Sequence, residues 1–217
     1  MNMIYRKYIK RILDFIGALI MLIVLSPLLL VVTVWLHFAN KSAGAFFTQE
    51  RPGKDERIFK LYKFKSMTDE RDEEGNLLPD GKRLTPVGRF IRKTSLDELP
   101  QLWNVLKGDM SFIGPRPLTP IYLKVMSDEY RQRHLVRPGI SGLAQVKGRG
   151  CLKLSRKFEY DLFYVRHISF SLDVKIAIST VVKVFKRQDV GEGNSEMKDI
   201  DDLGYLPKIL AIIKEEQ

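Results

Sequence analysis

The stretch FIGALIMLIVLSPLLLVVTVWL, Phe15 to Leu36, runs for 22 positions without a charged residue. Roughly 20 apolar residues in a helix cross the ~30 Å hydrocarbon core of a bilayer. A secretory signal peptide is the rival reading, but its apolar part is about 7–15 residues long and ends at a small-residue cleavage site. This run is longer and leads into Trp35-Leu36-His37-Phe38. It reads as a permanent membrane element. Ser26-Pro27 lies in its middle. Proline removes a backbone donor and clashes with the preceding turn, so it kinks or breaks a helix. The arm from Phe15 to Leu25 would be about 16 Å long at ~1.5 Å per residue, about half of the ~30 Å core. Two topologies follow: a kinked span, which membranes tolerate, or a hairpin that enters and leaves on one side.

Charge favours the hairpin. Arg6, Lys7, Lys10 and Arg11 precede the run, and Lys41, Arg51 and Lys54 follow it. Positive residues prefer the cytoplasmic side, and here both flanks are positive. A spanning helix with a cytoplasmic N-terminus would also export the basic remainder of the chain. The expected arrangement is a re-entrant helix–break–helix over residues 1–40. Asp14 sits at its entry, with Lys10 (i−4) and Arg11 (i−3) as expected partners.

The 217 residues suit one medium domain plus an anchor. A formal net charge of +10 points to an anionic partner, whether nucleic acid, anionic lipid or a phosphorylated substrate, without choosing among them. Cys151 is the single cysteine, so no internal disulfide forms, which fits a reducing compartment.

Phe46–Gln49, a turn at Arg51–Asp55 and Arg57–Met67 read as strand, turn, strand. Asp69–Asn76 is a charged, solvated loop. Thr85-Pro86 opens a short helix, and Ser95 opens another to about Lys107, with Gly108 as its stop. Gly114–Pro120 is irregular. Asp128–Val136 reads as helical before the turn at Arg137-Pro138-Gly139. Ser155–Ile168 and Leu172–Arg187 read as amphipathic helices. The fold class is α+β, mostly helical, with a body at 41–187 and a tail at 188–217 that is polar until Tyr205–Ile213.

Ser95-Leu96-Asp97-Glu98 has two readings. One is a capping box, with Ser95 capping and Glu98 reaching back. The other uses the carboxylates: at a helix start they stay ionised, and a carboxylate attacks phosphorus to give an acyl phosphate. Asp97 and Glu98 could then divide attack and metal binding. In Gly114-Pro115-Arg116-Pro117 the prolines restrict Arg116. A preorganised guanidinium suits bidentate phosphate binding; a rigid linker is the plainer reading. Lys63 and Lys65 share a strand face opposite Lys60, either as solvated edge lysines or as an anion-facing cluster. His37, His134 and His167 show no metal-ligand spacing.

These stretches together resemble the small monotopic phosphoglycosyl transferases, or bacterial sugar transferases. The likeness rests on Lys10-Arg11-Ile12-Leu13-Asp14, Ser26-Pro27, Phe47-Thr48-Gln49 with Arg51-Pro52-Gly53, and Tyr62 to Met67. It is densest from Ser95 to Pro117, with Asp97-Glu98-Leu99-Pro100-Gln101-Leu102, Asn104 to Ser111 and Gly114-Pro115-Arg116-Pro117, then Arg137 to Gly142 and Gly148-Arg149. It covers about Arg6 to Arg187, and is nearest to the di-N-acetylbacillosamine phosphate transferases. Those typically carry asparagine and tryptophan where this chain has Gly150 and Leu154.

The resemblance implies a re-entrant membrane helix broken at Ser26-Pro27, with a cytoplasmic catalytic domain lying on the bacterial inner membrane. It implies Mg²⁺-dependent transfer of a sugar phosphate from a UDP-sugar, expected to be an N-acetylated amino sugar, to polyprenyl (undecaprenyl) phosphate, releasing UMP. By position Asp97 resembles the nucleophile and Glu98 its partner, both as metal ligands, while Lys63, Arg116 and Arg149 resemble substrate-binding positions. Direct attack by the lipid phosphate is the non-covalent variant of this chemistry. Nucleic acid is not an expected partner. The competing class is a non-catalytic, membrane-anchored basic protein that binds anionic lipid or nucleic acid, which gives Asp97-Glu98 and Arg116 no role.

Overall fold

The computed structural model describes residues 2–40, 43–148, 152–186 and 200–215. A π-helical turn at Tyr5–Ile9 runs into α1, Lys10–Ala39. Among the described residues Tyr5–Ala39 is the one helix long and apolar enough to cross a membrane. The break expected at Ser26-Pro27 is corrected: α1 runs through Pro27 as one helix. Pro27 has no N–H for the Ile23 carbonyl one turn back, and the Ser26 hydroxyl donates to that oxygen instead, at 2.7 Å.

The two arms of α1 join different parts of the body. Phe46–Pro52 (β1) and Ile58–Phe64 (β2) form an antiparallel hairpin in which Phe47 faces Lys63. Ala18 clusters with Leu61, Val105 and Met110. Val32 and Leu36 cluster with Ala45, Phe64 and Ile91. Between the docked arms, Ile23, Val24, Leu30 and Val31 are exposed. Asn40 ends α1 and is fully buried, with its amide donating to the carbonyls of Gly44 and Lys65.

The pairing expected for Asp14 is corrected. Asp14 accepts from the Phe112 amide at 3.2 Å. Lys10 binds Asp173 at 2.6 Å, and Arg11 donates to the carbonyls of Val105 and Leu106. The helix start is packed against the body, so buried long-range partners displace weak i,i+4 pairs. Asp173 also accepts from the hydroxyls of Tyr5 and Tyr164, tying the helix start to the C-terminal helices.

Thr85 caps α2 (Pro86–Lys93), accepting from the Gly88 amide at 2.9 Å. The helix expected from Ser95 to Lys107 is divided. A 3₁₀ turn at Leu96–Glu98 comes first, and α3 spans Gln101–Lys107 after Pro100, which cannot extend a preceding helix. Gly108 ends α3 at φ 95°, a left-handed geometry suited to glycine. Asn104 of α3 is fully buried. Its side chain accepts from the Tyr62 amide and donates to the Lys60 carbonyl, so it completes the free edge of β2.

Ser111–Ile113 (β3) pairs in parallel with Gly139–Ser141 (β4). The backbones lie so close that a Cβ on Gly139 would be 2.1 Å from the Gly114 nitrogen. Residues between Gly114 and Pro120 are irregular, as expected, and the helix expected at Asp128–Val136 is an α-turn followed by a 3₁₀ turn. Leu143–Gly148 (α4), Leu154–Arg166 (α5) and Phe170–Lys186 (α6) pack over the small sheet. In the tail, α7 (Tyr205–Glu215) buries Tyr205 and Ile209 against Tyr122, Met126 and Phe158.

Candidate active site

The site is assembled from three separated stretches. β2 supplies Lys63, the turn before α3 supplies Asp97 and Glu98, and the irregular segment after β3 supplies Arg116. Asn104 fixes α3 on β2, and so places the acidic turn over Lys63. Glu98 Oε1 accepts from Lys63 Nζ at 3.1 Å and from Arg116 at 2.7 Å. Lys63 Nζ lies 4.0 Å from Asp97 Oδ2.

Ser95 is not a cap. Its backbone is left-handed, at φ 57° and ψ 17°, and its side chain makes no capping bond. The carboxylates precede a helix of only seven residues, so the expected stabilisation by a long helix start gives way to stabilisation by two cations. Arg116 is held by its backbone: its carbonyl accepts from Arg133 at 2.6 Å, and Arg133 pairs with Asp161. Arg51 reaches the next carbonyl, that of Pro117, at 3.4 Å. The Arg116 side chain remains 45% exposed, so its guanidinium has surface for a substrate.

The two carboxyls are driven apart electrostatically. Burial, then the charge of Glu98, raises Asp97 to about 6 against the partial offset of Lys63, Arg116 and Arg92. Burial would raise Glu98 as well, but Arg116 and Lys63 outweigh it and hold Glu98 at about 2. Glu98 is therefore the fixed anion of the cluster, and Asp97 is the carboxyl whose charge is costly until a further cation arrives. Two adjacent carboxylates with one still unsaturated fit Mg²⁺, which uses one or two carboxylates together with substrate phosphates. Asp97 and Glu98 are the residues that would hold it. Among the described residues no group of three or more His, Cys, Asp or Glu side chains could do so.

A cavity of about 180 Å³ opens beside Glu98. Met21 of α1 lines it, as do Leu102, Phe112 and Gln145. Gln145 Oε1 is buried and has no hydrogen-bond partner among the described residues.

Of the five residues singled out from sequence, Lys63, Asp97, Glu98 and Arg116 come together, and Arg149 lies outside the described residues. Sequence reading missed Asn104, Gln145 and the Arg133–Asp161 pair. Asn104 had a signal, since it stands in a dense motif. The pair had none, because its members lie 28 residues apart on unrelated segments.

A cationic pair grips an acidic turn, and the cavity beside it is lined by Met21 of the long apolar helix. Residues 5–187 match the bacterial sugar transferase family, and the chain belongs to it. It is 47% identical over 186 residues to the uncharacterized sugar transferase EpsL of Bacillus subtilis, across 86% of this chain and 92% of that protein. It is 41% identical over 194 residues to a UDP-glucose:undecaprenyl-phosphate glucose-1-phosphate transferase of Klebsiella pneumoniae, across 85% of this chain and 41% of that one. It is also 41% identical over 182 residues to a UDP-N-acetylgalactosamine-undecaprenyl-phosphate N-acetylgalactosaminephosphotransferase of Aeromonas hydrophila, across 80% and 43%. The chain thus spans less than half the length of the latter two.

Proposed function

We propose that this chain transfers a sugar phosphate from a UDP-sugar to undecaprenyl phosphate through an aspartyl intermediate on Asp97. The observation that carries the reading is the convergence of Lys63, Asp97, Glu98 and Arg116 from three stretches of chain. The relatives' names supply the substrate classes. Those names include glucose and N-acetylgalactosamine; we keep an N-acetylated amino sugar as the proposed donor.

Arg116 and Lys63 bind the donor diphosphate. An Asp97 oxygen attacks the phosphorus nearest the sugar. The new bond joins Asp97 to that phosphorus, the bond to the second phosphate breaks, and UMP leaves with the electron pair. A lipid phosphate oxygen then attacks the same phosphorus, forms the diphosphate and returns Asp97 as a carboxylate. Mg²⁺ held by Asp97 and Glu98 would offset the diphosphate charge. Glu98 keeps Lys63 and Arg116 aligned throughout.

The membrane topology we propose is re-entrant, with the catalytic body on the cytoplasmic face. Three features support it: the burial of both α1 arms in clusters of the same body, the cations on both flanks, and an exposed apolar stripe on α6 at Phe170, Val174, Ile178 and Val181. Met21 and Glu98 line one cavity, which gives a lipid acceptor a route from the bilayer to the site.

Intact-protein mass spectrometry after incubation with UDP-sugar and Mg²⁺, without acceptor, tests the covalent step. The expected result is an adduct of one sugar phosphate that maps to Asp97 and UMP in equal amount. Asp97→Asn should form no adduct and lose about 10⁴-fold or more in turnover, on the order of 5 kcal/mol, with a melting temperature no lower than the wild type's, since the charge removed is a costly one. Substantial turnover by Asp97→Asn would leave direct attack by the lipid phosphate as the mechanism.

A further inference from the structure

Strand β3 separates two cavities. Phe112 lines the one beside Glu98, while Ser111 and Ile113 line a second of about 370 Å³ on the other face, as strand alternation requires. The second cavity is strongly basic. Arg6, Lys7, Lys10 and Arg11 reach it from the start of the membrane helix, Lys54 from the β1–β2 turn, and Arg137 from the approach to β4. Asp14 is the carboxylate among its described lining residues.

The internal partners leave this charge largely uncompensated. Lys10 is neutralised by Asp173 at 2.6 Å. Arg11 and Arg137 donate to backbone carbonyls, which satisfies N–H groups but cancels no charge. Arg6 reaches the Leu135 carbonyl at 3.4 Å. Lys54 lies 3.7 Å from Asp55 with both side chains half exposed, where solvent screens the pair. Such clustering of like charge opposes folding unless an anion covers it.

The position of the cavity decides which anion. On the same helical turns that present these cations, Ile9, Ile12, Leu13, Phe15 and Ile16 are exposed. A helix start with cations on one side and bare aliphatic side chains on the other sits where headgroups meet acyl chains. A soluble anion has no use for that apolar flank, whereas a lipid phosphate and its acyl chains match both sides. We infer that this cavity is a headgroup site for an acidic phospholipid of the surrounding bilayer. It is distinct from the Lys63–Glu98–Arg116 cluster, on the opposite face of β3, and does not depend on the reaction assigned there. It would fix the depth and rotation of the helix entry relative to the catalytic body.

Native mass spectrometry of the full-length protein in neutral detergent, with equal amounts of phosphatidylglycerol and phosphatidylcholine, tests this site. The wild type should retain about tenfold more phosphatidylglycerol, given roughly a kcal/mol per basic side chain at an anionic lipid surface. The double variant Lys7→Gln, Lys54→Gln should lose that preference while still releasing UMP at the wild-type rate. Both positions are solvent-exposed, and the wild-type comparison is decisive even if the variant is unstable. Equal retention of the two lipids by the wild type would overturn the assignment, as would a preference that survives in the double variant. Displacement of phosphatidylglycerol by millimolar inorganic phosphate would reassign the cavity to a soluble anion.

Discussion

Two arginine–carboxylate pairs lie within one hydrogen bond of each other and behave oppositely. Arg133 and Asp161 are 2% and 4% exposed, at 2.7 Å, with the remaining Arg133 reach given to the Arg116 carbonyl. Burial pushes the Asp161 carboxyl up, and Arg133 pulls it back. That pair is closed to solvent and substrate. Arg116 and Glu98 also meet at 2.7 Å, but Arg116 is 45% exposed and the neighbouring Asp97 is left short of counter-charge. The same chemistry makes a strut when every charge is matched and, in the function proposed, a binding site when one is left over. Partial compensation is what the proposed function requires, since an enzyme must tolerate charge that only its substrate or metal completes.

Breaking the strut should have the largest effect. Arg133→Leu strands the buried Asp161 charge and should destabilise the fold by about 3–5 kcal/mol, read by chemical denaturation. Arg133→Leu combined with Asp161→Leu should recover most of that stability, because no charge is stranded. Turnover should stay depressed in the double variant, since the Arg116 carbonyl has lost its donor. Full recovery of turnover would show that Arg133 does not position Arg116.

Arg116→Lys sharpens the other side of the comparison. It keeps the charge but loses the planar fork. We expect a rate at least about tenfold lower, or about 1.4 kcal/mol, with no change in melting temperature. Steady-state UMP release checks it, and near-normal kinetics would make Arg116 a linker residue.

The smallest expected effect is a displaced pH profile. Asp97 must be ionised to attack and titrates near 6, so kcat/KM should fall as pH drops through about 6. Lys63 lowers the Asp97 value; its removal must therefore raise it. In Lys63→Gln the acid limb should move to higher pH by less than about one unit, alongside any general loss of rate. A limb that moves to lower pH contradicts Asp97 as the titrating nucleophile.

Some of this was written in the chain. The 22-residue uncharged run, its basic flanks, the β-hairpin, the Thr85-Pro86 helix start and the Gly108 stop each depend on neighbours within a few residues, so local chemistry is enough to read them. Local pattern raised Asp97, Glu98 and Arg116 only beside plainer readings, and the likeness to the sugar transferases is what singled them out together with Lys63. The division of the Ser95–Lys107 helix was legible too, in Pro100, but the capping pattern masked it. Tertiary structure alone decided the partners. Asp14 chose the Phe112 amide over nearby lysine and arginine, Asn104 joined α3 to β2, and Arg133 found Asp161 beneath Arg116. Burial strengthens such long-range contacts and splits the titration of Asp97 from that of Glu98. No sequence window contains that information, because the dielectric around a side chain is set by whatever the rest of the chain packs against it.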